Sequence, residues 1–459
     1  MADKKENILG TQPIGRLMLK FAIPSVVSLL LNAIYNIADQ IFIGRSDAGT
    51  LGNGATAVAF PIISITMAIS LLFGNGGAVL ASLRMGEKNT EDVKRALANS
   101  VLSTVVFSVI ITIVGFVFLE PIMKAFGATE ELLPYAKIYS VIILAGVPFM
   151  AIGNGLSNFI RADGKPKIAM FSLASGAILN LILDPIFIFG FKMGVVGAAL
   201  STSLAQVVPT VVAIWYFGRK SENMRLEIKS FKPNFKIIAE IIKMGLSSSA
   251  AQVVITIVTI VLNNSLKKYA ALSDGFVNVS VAVAAMGIVT RVNGMMIAVV
   301  TGIATGAQPI LGYNKGAGNI SRVKKTYIIS VVSATVAAII CWAGMMFFTN
   351  PIVSVFRGED LQFVSFASLA MKIYLMCVFT AGYQIVSYNY FQATGQLLKA
   401  VLLTLSRQIF LLVPAILILP KFFGIKGILY AGPFADVTAV LIVTVFIIKE
   451  MRSINGVQD

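Results

Sequence analysis

Long runs of apolar residues alternate with short polar connections along almost the whole chain. A helix of about 20 apolar residues is long enough to cross the hydrocarbon core of a bilayer. Prolines within several runs predict kinks, which helices in lipid tolerate where neighbouring groups satisfy the freed backbone. The pattern predicts an all-α integral membrane protein with twelve transmembrane helices, numbered here as spans 1 to 12, at 17–43, 54–83, 96–119, 134–158, 168–190, 195–217, 237–263, 277–305, 323–348, 366–390, 398–420 and 425–448.

The chain also repeats itself, in the same direction, after about 230 positions. The segment Gly86–Asn89 corresponds to Gly316–Asn319, and Gly197 corresponds to Gly427. Internal repeats of this kind are typical of secondary transporters, in which the substrate path runs between the halves. We therefore predict two pseudo-symmetric six-helix lobes, residues 1–218 and 237–459, joined by a polar cytoplasmic linker at 219–236.

Composition and charge agree with a membrane protein. Charged residues make up 13% of the chain and apolar residues 57%, whereas about 25% of the residues in a soluble domain are charged. Lys and Arg are concentrated at the termini and in the even-numbered connections, so the positive-inside rule places both termini in the cytoplasm. Contact with anionic membrane lipids explains the net charge of +16 without any nucleic-acid partner.

The chemistry available to the chain is narrow. It contains no histidine, and its two cysteines, Cys341 and Cys377, lie within predicted spans, so neither a zinc site nor a disulfide framework is expected. The sequence lacks a Gly-x-x-x-x-Gly-Lys-Ser/Thr loop and a His-Glu-x-x-His motif, which argues against an ATP-driven pump and an intramembrane enzyme. No cofactor is expected, and any ion coupling must use carboxylates and neutral oxygen atoms.

Polar residues within the spans predict a site in the first half. A charged group in the hydrocarbon region is costly, so it usually faces a cavity or a partner. At 1.5 Å per residue, Asp39 of span 1 and Asp184 of span 5 reach a similar depth, and Thr202 of span 6 lies on the same outer side. Asn180 precedes Asp184 by four residues and shares its helix face. Such oxygen atoms suit Na⁺, or the carboxylates hold a proton, because burial favours the protonated form of an aspartate.

Each of these residues also has a structural interpretation. Asp184 precedes Pro185, a pair typical of a helix that restarts after a kink. Asp39 could extend towards water at the outer interface, and Thr202 could hydrogen-bond within its own helix or pack against a neighbour. The coincidence of depth, rather than any single residue, favours a functional site.

The second half lacks an equivalent acidic cluster, since Val413-Pro414 lies opposite Asp184-Pro185 in the repeat. Its intramembrane charges are Arg291 and Asp436. Three interpretations stay open for them: an ion pair with each other, contact with substrate, or attachment of one helix to another. The candidate cavity-lining or substrate-contacting residues of both halves are Asn36, Tyr35, Gln206, Gln252, Met286, Arg291, Gln384 and Asp436.

Short segments along both halves carry a family resemblance. They are Ala22–Pro24, Tyr35–Gly44, Arg161–Gly164, Asn180 with Leu183–Gly190, Gly194–Ala199, Phe391–Gly395, Ser406–Gln408 and Pro433–Asp436. In this order they resemble the multidrug and toxic compound extrusion (MATE) transporters, and most closely the MepA-like bacterial subgroup, which shares features with the DinF-like branch. The resemblance covers nearly the whole chain, and its joint order is more specific than any one segment.

The resemblance implies a two-lobed MATE fold in the plasma membrane of a bacterium or archaeon, and we expect a monomer. It implies an antiporter that exports cationic, amphipathic organic compounds in exchange for H⁺ or Na⁺ by alternating access. In such relatives a cation or proton site in the first lobe corresponds to Asp39, Asn180, Asp184 and Thr202 here. The coupling carboxylates of another branch, on the seventh and tenth helices, have no counterpart at depth in this chain.

One alternative belongs to the same superfamily. A lipid-linked oligosaccharide flippase would share the fold, but its cavity should be richer in Arg and Lys for a pyrophosphate group. In this sequence only Arg291 offers itself for that role.

Overall fold

A computed structural model describes residues 7–46, 49–221, 223–272, 278–357 and 361–455. Within these ranges the regular structure is helical and contains no strand. Eleven of the helices described are long and apolar enough to cross a membrane, and a bent pair of helices makes the twelfth span. The predicted all-α membrane protein with twelve spans is therefore confirmed.

The spans agree with the predicted ones in order and approximate extent. Spans 1 to 6 are Ile14–Gly44, Leu51–Gly86, Thr90–Val117, Leu133–Ala162, Pro166–Gly190 and Gly194–Lys220. Spans 7 to 9 are Phe235–Ala271, Val279–Gly316 and Ile320–Phe347. Span 10 is Leu361–Tyr374 with Val378–Ala393, and spans 11 and 12 are Leu397–Phe423 and Ile425–Ser453. Short helices between the spans or before them are Ile8–Thr11, Leu119–Ala125, Ile228–Ser230 and Thr349–Arg357.

Span 10 differs from its prediction as one continuous helix. Its two parts meet at an angle of 46°, although the intervening residues 375–377 include neither proline nor glycine. Gly432 of span 12 packs against Tyr374 at this point, where an added Cβ would lie 3.0 Å from the tyrosine ring. The break therefore coincides with close packing between spans rather than with a helix-breaking residue.

The repeat recurs in the way two helices begin. The Asn89 side chain accepts a hydrogen bond from the backbone nitrogen of Asp92 at 3.1 Å, at the start of span 3. The Asn319 side chain accepts one from the backbone nitrogen of Arg322 at 3.2 Å, at the start of span 9. Such N-caps stabilise a helix by about 1 kcal/mol. The matching segments thus perform the same local role in both halves.

Glycines bring the halves together at one end of the bundle. Consecutive spans alternate in direction, so the connections 2–3, 4–5, 6–7 and 8–9 share an end, called here the linker end. A Cβ at Gly86 would lie 2.6 Å from the Ala317 nitrogen, and a Cβ at Gly316 would lie 2.8 Å from the Leu83 carbonyl carbon. Because only glycine permits such an approach and Gly86 corresponds to Gly316, this contact follows the pseudo-symmetry of the repeat.

The first turns of span 1 and of span 7 each pack into the hydrophobic core of the other half. Leu17 and Phe21, near the start of span 1, are buried in the hydrophobic core of the second half. Ile237 and Ile241, at the start of span 7, are buried in a core of the first half. Apolar packing of this kind excludes water, so the linker end is closed between the halves.

Candidate functional site

A cavity of about 410 Å³ is bounded by spans 1, 2, 4, 6 and 7. Its volume lies within the range of about 300–1,000 Å³ that is usual for small-molecule sites. Span 1 supplies a polar stripe at helical spacing, and aromatic and apolar side chains such as Phe60, Tyr139 and Met150 complete the wall. The predicted residues that line this cavity are Tyr35, Asn36, Asp39, Thr202, Gln206 and Gln252.

Asp39 is buried at the wall of the cavity, with 8% of its surface exposed. Its Oδ1 atom has no hydrogen-bond partner among the described residues. The expectation that Asp39 extends to water at the outer interface is therefore wrong. Burial of a carboxylate oxygen without a donor is costly, so the position requires an explanation beyond helix packing.

Asp184 and Asn180 form a buried network with span 6. The Ser201 hydroxyl donates a short hydrogen bond to Asp184 Oδ1. The Asn180 amide donates to the same oxygen at 3.3 Å and to Thr202 Oγ1 at 3.4 Å. Asp184 lies inside the helix Pro166–Pro185, its Oδ1 accepts from Asn180 and Ser201 and its Oδ2 has no partner among the described residues, so the capping interpretation is wrong.

Ser201 is a site residue that the sequence reasoning missed. It was visible as the neighbour of Thr202, but residues i and i+1 of a helix face different directions. Both hydroxyls lie within hydrogen-bonding distance of the Asn180 amide, but only that of Ser201 also donates to the Asp184 carboxylate, and the packing of span 6 against span 5 determines this.

Three buried oxygens in this region have no hydrogen-bond donor among the described residues: Asp39 Oδ1, Asp184 Oδ2 and Asn180 Oδ1. An unsatisfied buried acceptor costs about 1–3 kcal/mol, and more when it is charged. A proton or a small cation at this site would satisfy an acceptor and reduce the cost of its burial.

The ligand set for such a cation would be mixed. Over the residues that the structure describes, no three His, Cys, Asp or Glu side chains converge as a metal cluster. The oxygen donors present in this region are the carboxylates of Asp39 and Asp184 and the side-chain oxygens of Asn180, Ser201 and Thr202. This donor set fits Na⁺, as the sequence suggested, and it fits a proton on either carboxyl group equally well.

In the second half, Asp436 pairs with Arg407 rather than with Arg291. The Arg407 Nε atom lies 2.7 Å from Asp436 Oδ1, and Asp436 is 1% exposed. Arg407 belongs to a π-helical turn, Ser406–Leu412, inside span 11. The sequence analysis did not count it as an intramembrane charge, although its position ten residues into the span would have placed it at depth.

Three further cavity candidates lie elsewhere. Met286 is 1% exposed, belongs to the hydrophobic core of the second half and is not among the residues that line the cavity described above. Gln384 is buried and donates to Thr380 Oγ1 at 3.0 Å and to the Asp436 carbonyl oxygen at 3.2 Å. Its role is to fix the second part of span 10 to span 12. Arg291 is exposed and does not line the cavity.

Polar side chains join the halves on the linker-end side of the cavity. The hydroxyls of Ser64 and Thr256 lie 2.8 Å apart. Closer to the linker end, Asn75 donates to Ser248 at 3.0 Å, and Ser248 donates to Gln392 at 2.9 Å. Any path from the cavity to the linker end would have to break these hydrogen bonds.

Twelve membrane-crossing helices, five of which bound a polar cavity with a buried carboxylate, are the architecture of a multi-pass membrane transporter. A family model described as MatE matches residues 24–186 and 257–417, one stretch in each half. The chain therefore belongs to the MATE family of transporters and is not an enzyme.

Individual proteins show the same similarity along the full chain. The multidrug export protein MepA of Staphylococcus haemolyticus (strain JCSC1435) is 29% identical over 453 residues, which are 99% of this chain and 97% of that protein. A solved structure of the MATE multidrug transporter DinF-BH in complex with rhodamine 6G is 33% identical, covers 96% of both chains and has a TM-score of 0.88. An outward-facing MATE transporter of the MOP superfamily shares the fold, with a TM-score of 0.90, 22% identity and 98% coverage of both chains.

Proposed function

We propose that this transporter exports cationic, amphipathic organic compounds in exchange for H⁺ or Na⁺. The observation that carries the proposal is Asp39, a buried carboxylate with an unpartnered oxygen at the wall of a cavity of about 410 Å³. The names of the relatives support multidrug export, and the complex of DinF-BH with a rhodamine dye supports an organic ligand. The donor set in the first half supports a single positive charge as the coupling species.

The proposed mechanism is alternating access with the linker end in the cytoplasm and both termini on that side of a bacterial or archaeal plasma membrane. The contacts of Gly86 and Gly316 close the linker end, so the cavity here corresponds to the outward-facing arrangement. Uptake of H⁺ or Na⁺ by Asp39 and Asp184 neutralises charge at the cavity wall and weakens its hold on an organic cation. A ligand shifts a conformational equilibrium only if it binds one state more tightly than the other. After this exchange the compound is released, and the opening of the cavity returns to the linker end.

The flippase alternative has no comparable support. Among the described residues the cavity wall carries no Arg or Lys, whereas a pyrophosphate group needs cationic partners. The proposed partners are organic cations and membrane lipids, for a transporter that acts as a monomer without a cofactor.

The test uses the purified full-length protein in liposomes loaded with rhodamine 6G, the dye bound by DinF-BH. An inward H⁺ gradient and an inward Na⁺ gradient are imposed separately, and dye efflux is followed by fluorescence. We expect one gradient to drive efflux, and we expect Asp39→Asn and Asp184→Asn to slow it at least about tenfold, since each loses the charge that binds the coupling ion. The matched control is Glu130→Gln, an exposed carboxylate between spans 3 and 4, which should transport normally. Normal coupled efflux by both aspartate variants would refute the site, and no efflux of wild-type protein under either gradient would refute the function.

A further inference from the structure

A second polar recess lies at the linker end, away from the cavity described above. It has a volume of about 590 Å³ and is formed by the start of span 3 and the linker. We call it the linker cleft. Its charged lining residues are Glu91, Lys94, Arg95, Glu227, Lys229 and Lys232.

The walls of the linker cleft are held in place by contacts between the linker and span 3. The backbone nitrogen of Asn234 donates to Asn99 Oδ1 at 2.8 Å. Lys94 Nζ lies 2.5 Å from Glu227 Oε1, and the backbone nitrogen of Ser230 donates to the Glu227 carbonyl oxygen at 2.9 Å. The recess is therefore preformed, which reduces the entropy lost when a ligand binds.

The charges of the linker cleft do not balance. Glu227 pairs with Lys94, and Glu91 pairs with Arg95. The hydrogen bond from Lys94 lowers the pKa of Glu227. This glutamate therefore stays ionised, and the positive charge of Lys94 balances its negative charge. Lys229 and Lys232 make no ion pair with any described residue, which leaves two positive charges for a ligand.

The position of the linker cleft favours a lipid over a soluble anion. Asn234, at its edge, directly precedes the first residue of span 7, Phe235, whose side chain is 83% exposed. A large apolar side chain that is exposed at the first residue of a membrane-crossing helix is better covered by lipid than by water. A headgroup in the linker cleft would thus have its acyl chains beside Phe235. Basic pockets between helices on the cytoplasmic side are known binding places for anionic headgroups.

We propose that the linker cleft binds the phosphate of an anionic phospholipid headgroup through Lys229 and Lys232, with its acyl chains against span 7. The bound lipid connects the linker to the first half. This proposal does not depend on the transported substrate or the coupling ion.

The test measures binding of phosphatidylglycerol to the purified full-length protein by native mass spectrometry, with phosphatidylcholine as the neutral competitor. Because each lysine removed weakens binding about fivefold, we expect the variant with Lys229→Gln and Lys232→Gln to bind phosphatidylglycerol about 25-fold more weakly than wild type. The matched control carries Lys167→Gln and Lys325→Gln, two exposed lysines at the same end, and should retain wild-type binding. Thermal unfolding in phosphatidylcholine should be equal for all three proteins, since the four lysines are exposed.

Two results would overturn the proposal. The first is an equal loss of phosphatidylglycerol in the cleft variant and in the control, because the attraction would then be a general property of the basic end. The second is displacement of phosphatidylglycerol by millimolar inorganic phosphate, because the linker cleft would then be a site for a soluble anion. Neither result bears on dye efflux, so failure here is distinguishable from failure of the proposed transport function.

Discussion

Replacement of Gly86 by alanine tests whether the glycine contact at the linker end controls access to the cavity. The added Cβ would overlap the Tyr313 carbonyl oxygen and would lie 2.6 Å from the Ala317 nitrogen, whereas ordinary contact begins at 3.4 Å. Backbone atoms form this contact, so no side chain can rotate away, and the halves must separate locally by more than about 1 Å. Overpacking of this kind costs about 1–3 kcal/mol, a free energy that applies only while the linker end is closed.

That cost should shift the protein towards an arrangement open at the linker end. A difference of about 1–3 kcal/mol changes a two-state ratio by about 5- to 150-fold. Gly316→Ala should act in the same direction, because its Cβ would lie 2.8 Å from the Leu83 carbonyl carbon. Gly344→Ala is the control, since a Cβ there meets nothing within 4 Å.

The assay is labelling of a single cysteine by a maleimide that cannot cross membranes. Cys341 and Cys377 are the free cysteines of the chain, and both are first replaced by alanine. A cysteine is then placed at Asn158, which lines a narrow space between the halves near the linker end. We expect Gly86→Ala to label faster from the linker side and to export the rhodamine dye more slowly. If its labelling matches that of the Gly344→Ala control while its thermal unfolding is unchanged, the halves do not separate at this contact and the reasoning fails.

Three further predictions concern charge and hydrogen bonding. Arg84 lies 2.8 Å from Glu240 of the other half and is 28% exposed. Arg84→Gln should therefore weaken closure of the linker end by less than about 1 kcal/mol and raise the maleimide labelling at position 158 a few-fold. Labelling below that of the wild type would contradict this. Arg407→Leu should lower protein stability by about 3–5 kcal/mol because it leaves Asp436 buried without a partner, and thermal unfolding should show that the double change to leucine restores most of the loss; equal melting temperatures for the single variant and wild type would be inconsistent with a buried pair. Ser201→Ala removes a donor from the carboxylate of span 5, at a cost of about 1–3 kcal/mol to its charged form, and should alter the pH or Na⁺ dependence of dye efflux; an unchanged profile would exclude the hydroxyl from the coupling site.

Hydrophobicity was sufficient to predict the spans. A helix in lipid must form all of its backbone hydrogen bonds within itself, so each span is one continuous apolar run whose length can be read in the sequence. The break in span 10 was not predictable in this way. Residues 375–377 contain neither proline nor glycine, and the local feature associated with the break is the approach of Gly432 to Tyr374. That contact is between span 10 and span 12, so no pattern of neighbouring residues in the sequence predicts it.

Polar residues that line the cavity, such as Asp39, could be selected from the sequence because the constant rise of a helix relates position to depth. The partner of a buried charge could not be selected in this way. The partner of Asp436 depends on how span 11 is rotated against span 12, and the π-helical turn at Ser406–Leu412 alters that rotation. Arg407 rather than Arg291 therefore meets the carboxylate.

The division of the chain at residues 219–236 remains a prediction, and it describes the repeat better than the packing. The first turns of span 1 are buried with the second half, and those of span 7 with the first. Each half thus needs the other to complete its core at the linker end. A movement that opens this end must expose apolar surface from both halves, which costs about 25 cal/mol for each Å² exposed.

Corresponding positions in the two halves differ in how the chain accommodates a polar side chain within the membrane-spanning region. Gly197 corresponds to Gly427, so Gln206 corresponds to Asp436. Gln206 lines the open cavity, whereas Asp436 is sealed against Arg407. All three aspartates keep one oxygen without a hydrogen-bond partner, but Asp436 forms an ion pair through its other oxygen, whereas Asp39 and Asp184 form none with any described residue. A mobile cation is attracted most strongly to a carboxylate that has no positive partner within the chain. This difference between the halves supports a coupling site in the first half alone.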